Sequence, residues 1–209
     1  GFEKLVYGGL TKVFAGIVIA PIGGIIFGLL VTTLIITLFA SRKPGPVNKT
    51  FGRLQIISSA WFALTHGAND GQKTMGIIVL ILFSAGLIPD LEMPLWVIFA
   101  AATAMGLGTF FGGYKVIKTL GVKITKLKPY QGFAAETSGG LMLAVFAVFG
   151  IPASTTHAIT GTIMGSGAAR RKRAVRWKVS RQIVFSWIIT IPGAAGLGIG
   201  FTYLINLFV

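Results

Sequence analysis

Uncharged apolar runs, several of them long enough to cross a bilayer, alternate along the chain with short polar gaps. A helix needs about 20 apolar residues to cross the hydrocarbon core. Val13 to Ala40 is uncharged for 28 residues, enough for one tilted span near 13–40, with Pro21 and the Gly23-Gly24 pair as predicted bend points. It is too long and too internal for a signal peptide. Pro94 to Gly113 supplies one clean span of 20 residues, and Gln182 to Val209 closes the chain with a span near 182–208. Two further runs are interrupted. Leu54 to Ile88 carries His66, Asn69, Asp70, Gln72 and Lys73 in its middle, and 133–169 is split by Gly150 and Pro152 and contains Glu136.

The bases sort these runs by side. Four lie between 42 and 53, five between 115 and 128, and seven between 170 and 181, whereas Asp90 and Glu92 occupy a gap with no base. Under the positive-inside rule the three basic gaps are cytoplasmic and the acidic gap is external by elimination. Segment 133–169 then starts and ends on the cytoplasmic side, as two barely sufficient spans or as a re-entrant hairpin. Run 54–88 must cross an odd number of times. Its halves, 54–66 and 74–88, would each be roughly 20 Å long as helices, too short for about 30 Å of hydrocarbon. The pattern therefore predicts a transmembrane helix broken near Asn69-Asp70, of the kind that survives where freed backbone lines a cavity or is packed in protein. Interrupted segments of this kind are where transporters place their sites. The fold class expected is an all-α integral membrane protein. It forms a single transmembrane domain over 1–209, a helical bundle with a broken transmembrane helix and a re-entrant helical hairpin.

Composition agrees. Of 209 residues 54% are hydrophobic and only 11% charged, against about 25% charged in soluble domains. Nineteen Lys and Arg against five acids give +14, so the positive excess is mainly a topology signal rather than a nucleic-acid footprint. Zero Cys excludes a disulfide scaffold and a thiolate zinc site, and no resident metal or cofactor is expected.

Two clusters carry the candidate chemistry. In "HGANDGQKTMG", His66 to Gly76, ionised residues sit in an apolar stretch at a cost of about 2.5–3.5 kcal/mol each at the helix centre. Gly67 and Gly71 bracket Asn69-Asp70, as expected where the chain unwinds around a ligand. Asp70 and Lys73 share a helix face, and a plain ion pair between helices is the simpler account. In "GIPASTTHAITGTIMGSG", Gly150 to Gly167, Pro152 suits a helix's first turn, with Ser154, Thr155 and Thr156 inside that turn. Hydroxyls beside unpaired N–H groups make a site for a tetrahedral oxyanion, or they simply cap the helix. His157 could orient a hydroxyl, relay a proton, or be structural. Glu136, in "QGFAAETSGG", is a snorkelling carboxylate, a cation ligand, or an acid that locks the hairpin. Gly pairs at four-residue spacing, Gly24/Gly28, Gly108/Gly112, Gly161/Gly165 and Gly196/Gly200, read as packing.

"GANDGQKTMG", "PASTTHAITGTIMGSGAARR" and "AVRWKVSRQIVFSW", with "QGFAAETSGG" before the second, resemble the second, C-terminal half of the inorganic phosphate transporter (PiT) family. The likeness runs from about Gln55 onward. It implies a cation-coupled phosphate symporter, driven by protons or sodium, built from two inverted repeats. It also implies a multi-pass protein of the plasma membrane, the inner membrane in a prokaryote. In that frame Ser154, Thr155, Thr156, Asp70, Lys73 and Gln72 would hold phosphate, and Asn69, Asp70 and Glu136 would serve the coupling cation. Lys73 stands where many members have Asn, and only one copy of each motif is present. The chain thus reads as half of an inverted-repeat transporter, its missing set coming from an N-terminal half, a partner subunit or a homodimer. Alternatives are an anion-binding half that does not transport, transport of another oxyanion such as sulfate, and, remotely, an intramembrane serine hydrolase using Ser154 and His157.

Overall fold

The computed structural model describes residues 7–207, which are helical with no strand among them. Six α-helices follow in order: α1 Tyr7–Leu38, α2 Pro44–Ser84, α3 Leu95–Lys118, α4 Pro129–Val148, α5 Thr155–Ala168 and α6 Trp177–Asn206. A π-helical turn, Thr119–Ile124, extends α3, and a 3-10 turn, Lys172–Ala174, follows α5. Three helices are long and apolar enough to cross a membrane: α1, α3 with its π turn, and α6. They coincide with the three uninterrupted apolar runs, except that Phe208 and Val209 at the end of the last lie outside the described residues. The chain divides into two units, Gly1–Val175 and Arg176–Val209. The second is essentially the single helix α6, with Pro192 inside it.

In the first unit α4 and α5 form a hairpin. Its 14-residue arm, α5, rises about 21 Å and cannot cross about 30 Å of hydrocarbon, which makes the hairpin re-entrant rather than two spans. The turn follows from Gly150, whose φ of +60° terminates α4. Gly150 N–H donates to the Ala147 carbonyl at 3.1 Å and Ile151 N–H to the Phe146 carbonyl at 2.9 Å, the paired bonds of a Schellman motif. Gly86, φ +69°, ends α2 in the same way. At the hairpin's open end, Gln131 Nε2 donates to the Ser166 carbonyl at 2.8 Å while its Oε1 accepts from Lys128 N–H at 3.0 Å.

α5 lies against α1 backbone to backbone. A Cβ added at Gly24 would sit 2.7 Å from the Ala158 carbonyl oxygen and 3.0 Å from Thr162 N. One at Gly161 would meet the Pro21 carbonyl, and one at Gly165 the Ile25 carbonyl and Leu29 N. The two Gly pairs, Gly24/Gly28 and Gly161/Gly165, are therefore packing residues, where missing side chains allow van der Waals approach that replaces the absent hydrophobic drive in lipid. By contrast Gly108 and Gly112 on α3 have nothing within 4 Å of an added Cβ. α4 packs on α2, and an apolar cluster of Ala20, Met142, Leu143, Phe146, Ala153 and Ala158 ties α1, α4 and the hairpin tip together.

One expected feature is absent. The helix over 54–88 is not broken at Asn69-Asp70: α2 runs continuously from Pro44 to Ser84, 41 residues and about 62 Å. Gly67 and Gly71 keep helical backbone; among the described residues positive φ occurs only at Gly86 and Gly150. The physical reason is that unwinding would expose amides and carbonyls, whereas a continuous helix satisfies them at i−4. The polar side chains find partners without it. Asn69 Nδ2 donates to the Thr65 carbonyl one turn back at 2.8 Å, and the charges of Asp70 and Lys73 are met from the hairpin tip.

Candidate functional site

Asp70 is the centre of a polar cluster that joins α2 to the hairpin tip. Its Oδ1 lies 3.0 Å from Lys73 Nζ, one turn along the same helix face. Its Oδ2 lies 3.1 Å from His66 Nε2, one turn the other way, and accepts from Thr155 Oγ1 at 2.8 Å. Lys73 reaches further and donates to the Ala153 carbonyl at 2.8 Å, in the non-helical segment before α5. The two motifs, 80 or more residues apart in sequence, thus meet through two hydrogen bonds with an ionised residue at the α2 end of each. His66 is held edge-on to Asp70 by stacking on Phe62, ring centroids 5.9 Å apart.

The hydroxyl cluster is a true helix start, three residues later than a helix opening on Pro152. α5 begins at Thr155, Ser154 is its N-cap, and Pro152 precedes the cap rather than occupying the first turn. The reason is that Ser154 in extended conformation (φ −84°, ψ 118°) lets its Oγ accept from His157 N–H at 3.4 Å, the usual i to i+3 capping contact. Thr155 is buried against Asp70, while Thr156 is exposed on the next face of the turn. The first-turn amides have no i−4 acceptor within the helix, and with Ser154 and Thr156 they present donors suited to an oxyanion. Gln72 lies on the exposed side of α2 and Asn69 is half-buried, spent on Thr65.

His157 is turned away from the hydroxyls. Its imidazole is buried and bonds to the Ile17 backbone on α1, while its backbone amide donates to Ser154 Oγ. A serine nucleophile with an imidazole base is not assembled here.

Glu136 does not snorkel. From α4 it faces α2, where Ser58 Oγ donates to Oε2 at 2.6 Å, Ser59 Oγ to the same oxygen at 3.0 Å, and Gln55 Nε2 to Oε1 at 3.3 Å. The close approach of α4 and α2 is permitted by Gly132 beside Gln55 and by Gly139 beside Phe62. The carboxylate locks the hairpin's first arm to α2.

Sequence reasoning had missed Gln55, Ser58, Ser59 and the Ala153 carbonyl. The first three were readable: residues at i, i+3 and i+4 form one polar stripe on an apolar helix. The carbonyl was not, because every residue has one and only the hairpin's path aims it.

Known proteins resemble this chain in sequence and in fold. The sequence pattern described as the phosphate transporter family matches residues 1–198. A protein of Rhizobium meliloti (strain 1021) named "Probable low-affinity inorganic phosphate transporter" is 47% identical over 93% of this chain and 59% of its own length. A protein of the same name from Bacillus subtilis (strain 168) is 38% identical over 99% of this chain and 62% of its own length. The chain therefore spans about six-tenths of these relatives. A solved structure titled "The sodium-dependent phosphate transporter" superposes with a TM-score of 0.71 at 24% identity, covering 88% of this chain and 63% of that one, a likeness of fold. Matched across 198 of its 209 residues, with both of its polar motifs meeting at one site, the chain belongs to the phosphate transporter family, a family of transport proteins rather than enzymes.

Proposed function

We propose that this chain supplies one half-site of a cation-coupled inorganic phosphate symporter, driven by protons or sodium, in the plasma membrane of a prokaryote. Phosphate is held between the first turn of α5, through Ser154, Thr155 and Thr156, and the α2 segment carrying Asp70, Gln72 and Lys73. Asn69, Asp70 and Glu136 serve the coupling cation. A second, symmetry-related set completes the site, from an N-terminal half, a partner subunit or another copy of the chain. Alternating access then comes from one repeat rocking against the other.

The observation that carries this reading is the 2.8 Å hydrogen bond from Thr155 Oγ1 to Asp70 Oδ2. It joins an acid whose protonation or cation loading can change to the hydroxyl that borders the oxyanion donors. Loading Asp70 weakens its hold on Thr155 and frees that hydroxyl for phosphate, which couples the two ligands through one contact. Donors at a half-helix start favour a tetrahedral anion by charge and shape.

The test is uptake of labelled phosphate by cells or proteoliposomes carrying the intact protein. Asp70→Asn and Thr155→Ala each abolish uptake while the protein remains in the membrane. Normal uptake by both variants sinks the site assignment.

A further inference from the structure

We propose that the Lys73 ammonium is a tethered cation that permanently fills the monovalent-ion position at Asp70, so that no sodium ion is taken up there. This rests on the reading of Asp70 as a coupling carboxylate and leaves the proton, rather than sodium, as the ion whose loading there can change.

Cation positions in transporters with interrupted segments are built from a carboxylate or amide together with carbonyls of unwound backbone. The two oxygens that fit that description here are Asp70 Oδ1 and the carbonyl of Ala153, in the non-helical segment 151–154 just before α5. Lys73 Nζ lies between them, 3.0 Å from the first and 2.8 Å from the second. It thus carries one positive charge on the same two oxygen ligands that a bound ion would bridge. Ala153 is itself almost fully buried, so its carbonyl is presented by the fold rather than by a floppy loop. The remaining carboxylate oxygen is taken by Thr155 and His66.

Charge reinforces the point. Asp70 and Lys73 sum to zero, and a sodium ion added beside the ammonium would be repelled by it while finding both oxygens already occupied. Removing the ammonium leaves an unneutralised carboxylate and a buried carbonyl that has lost its donor, each costly in an apolar setting. A mobile cation then has both a site and a reason to bind.

Purified protein is melted in sodium chloride and in choline chloride of equal concentration, for the wild type, Lys73→Asn, Lys73→Arg and the Asp70→Asn/Lys73→Asn double variant. With sodium about tenfold above its dissociation constant, Lys73→Asn gains about 3–6 °C of sodium-dependent stabilisation beyond any shown by the wild type. That increment is lost in the double variant, and Lys73→Arg, which keeps a tethered cation, behaves as the wild type. A sodium response in Lys73→Asn no larger than in the wild type overturns the proposal, as does an increment that persists without Asp70 or appears in Lys73→Arg. A Lys73→Asn protein recoverable only in sodium supports it, and one recoverable in neither salt counts against it. The melting readout needs no phosphate. If sodium stabilises Lys73→Asn through Asp70 but the wild-type protein takes up no phosphate, the transport reading fails and the tethered cation stands.

Discussion

The backbone-to-backbone contact of α5 on α1 predicts that one substitution will have opposite signs at two glycines. Gly165 on α5 and Gly112 on α3 both lie in helices. Alanine in place of glycine at a helix interior ordinarily stabilises by about 0.5–1 kcal/mol, because less backbone freedom is lost on folding. At Gly112 nothing lies within 4 Å of the new methyl, so that gain is realised in full. At Gly165 the methyl would run into the Ile25 carbonyl and come within 2.8 Å of Leu29 N. Both are backbone atoms of α1 that no rotamer change can move, so the helices must separate. Overpacking of this kind costs about 1–3 kcal/mol, and immovable backbone places Gly165 at the upper end. After the propensity gain the net loss is about 2 kcal/mol. For a chain of this size that corresponds to a melting temperature lowered by about 4–8 °C, with Gly112→Ala raised by about 1–4 °C. Thermal melting of detergent-solubilised protein, followed by the loss of the monodisperse peak on size-exclusion chromatography, measures both. Equal melting temperatures for Gly165→Ala and Gly112→Ala would refute the backbone-to-backbone packing of α1 on α5.

Two further outcomes follow from hydrogen bonds that hold the hairpin. Gln131→Leu leaves the Ser166 carbonyl and the Lys128 N–H without their partner and should cost about 2–4 kcal/mol, read in the same melting assay. Ser58→Ala removes the 2.6 Å donor to the Glu136 carboxylate and should cost about 1.5–3 kcal/mol, more than Ser59→Ala at its exposed position; the reverse order would reject the geometry around Glu136.

Much of the architecture was legible from the order of residues. Uninterrupted apolar runs specify spans because a helix crossing lipid must satisfy its backbone internally and expose apolar side chains, two demands met by local sequence alone. Hence α1, α3 and α6 lie where the pattern put them, and Gly150 marked the hairpin turn because its left-handed φ is a local requirement. The two motifs could also be recognised as chemistry: ionised residues in apolar surroundings, and hydroxyls at a helix start.

Other features depended on what each segment meets. The polar middle of α2 suggested a break, since a lone Asp and Lys in a helix are costly in hydrocarbon. Instead Thr155 and the Ala153 carbonyl supply their partners from a distant segment, and the helix continues unbroken. Glu136 had three readings until Ser58, Ser59 and Gln55 were found opposite it. Of the glycine pairs that looked alike, Gly161/Gly165 face the backbone of α1 and Gly108/Gly112 face open space. Sequence by itself decided which residues could not be left alone in a membrane. Only the tertiary structure decided their partners, because the free energy of a buried charge, hydroxyl or missing side chain is set by the atoms placed against it, and those come from elsewhere in the chain.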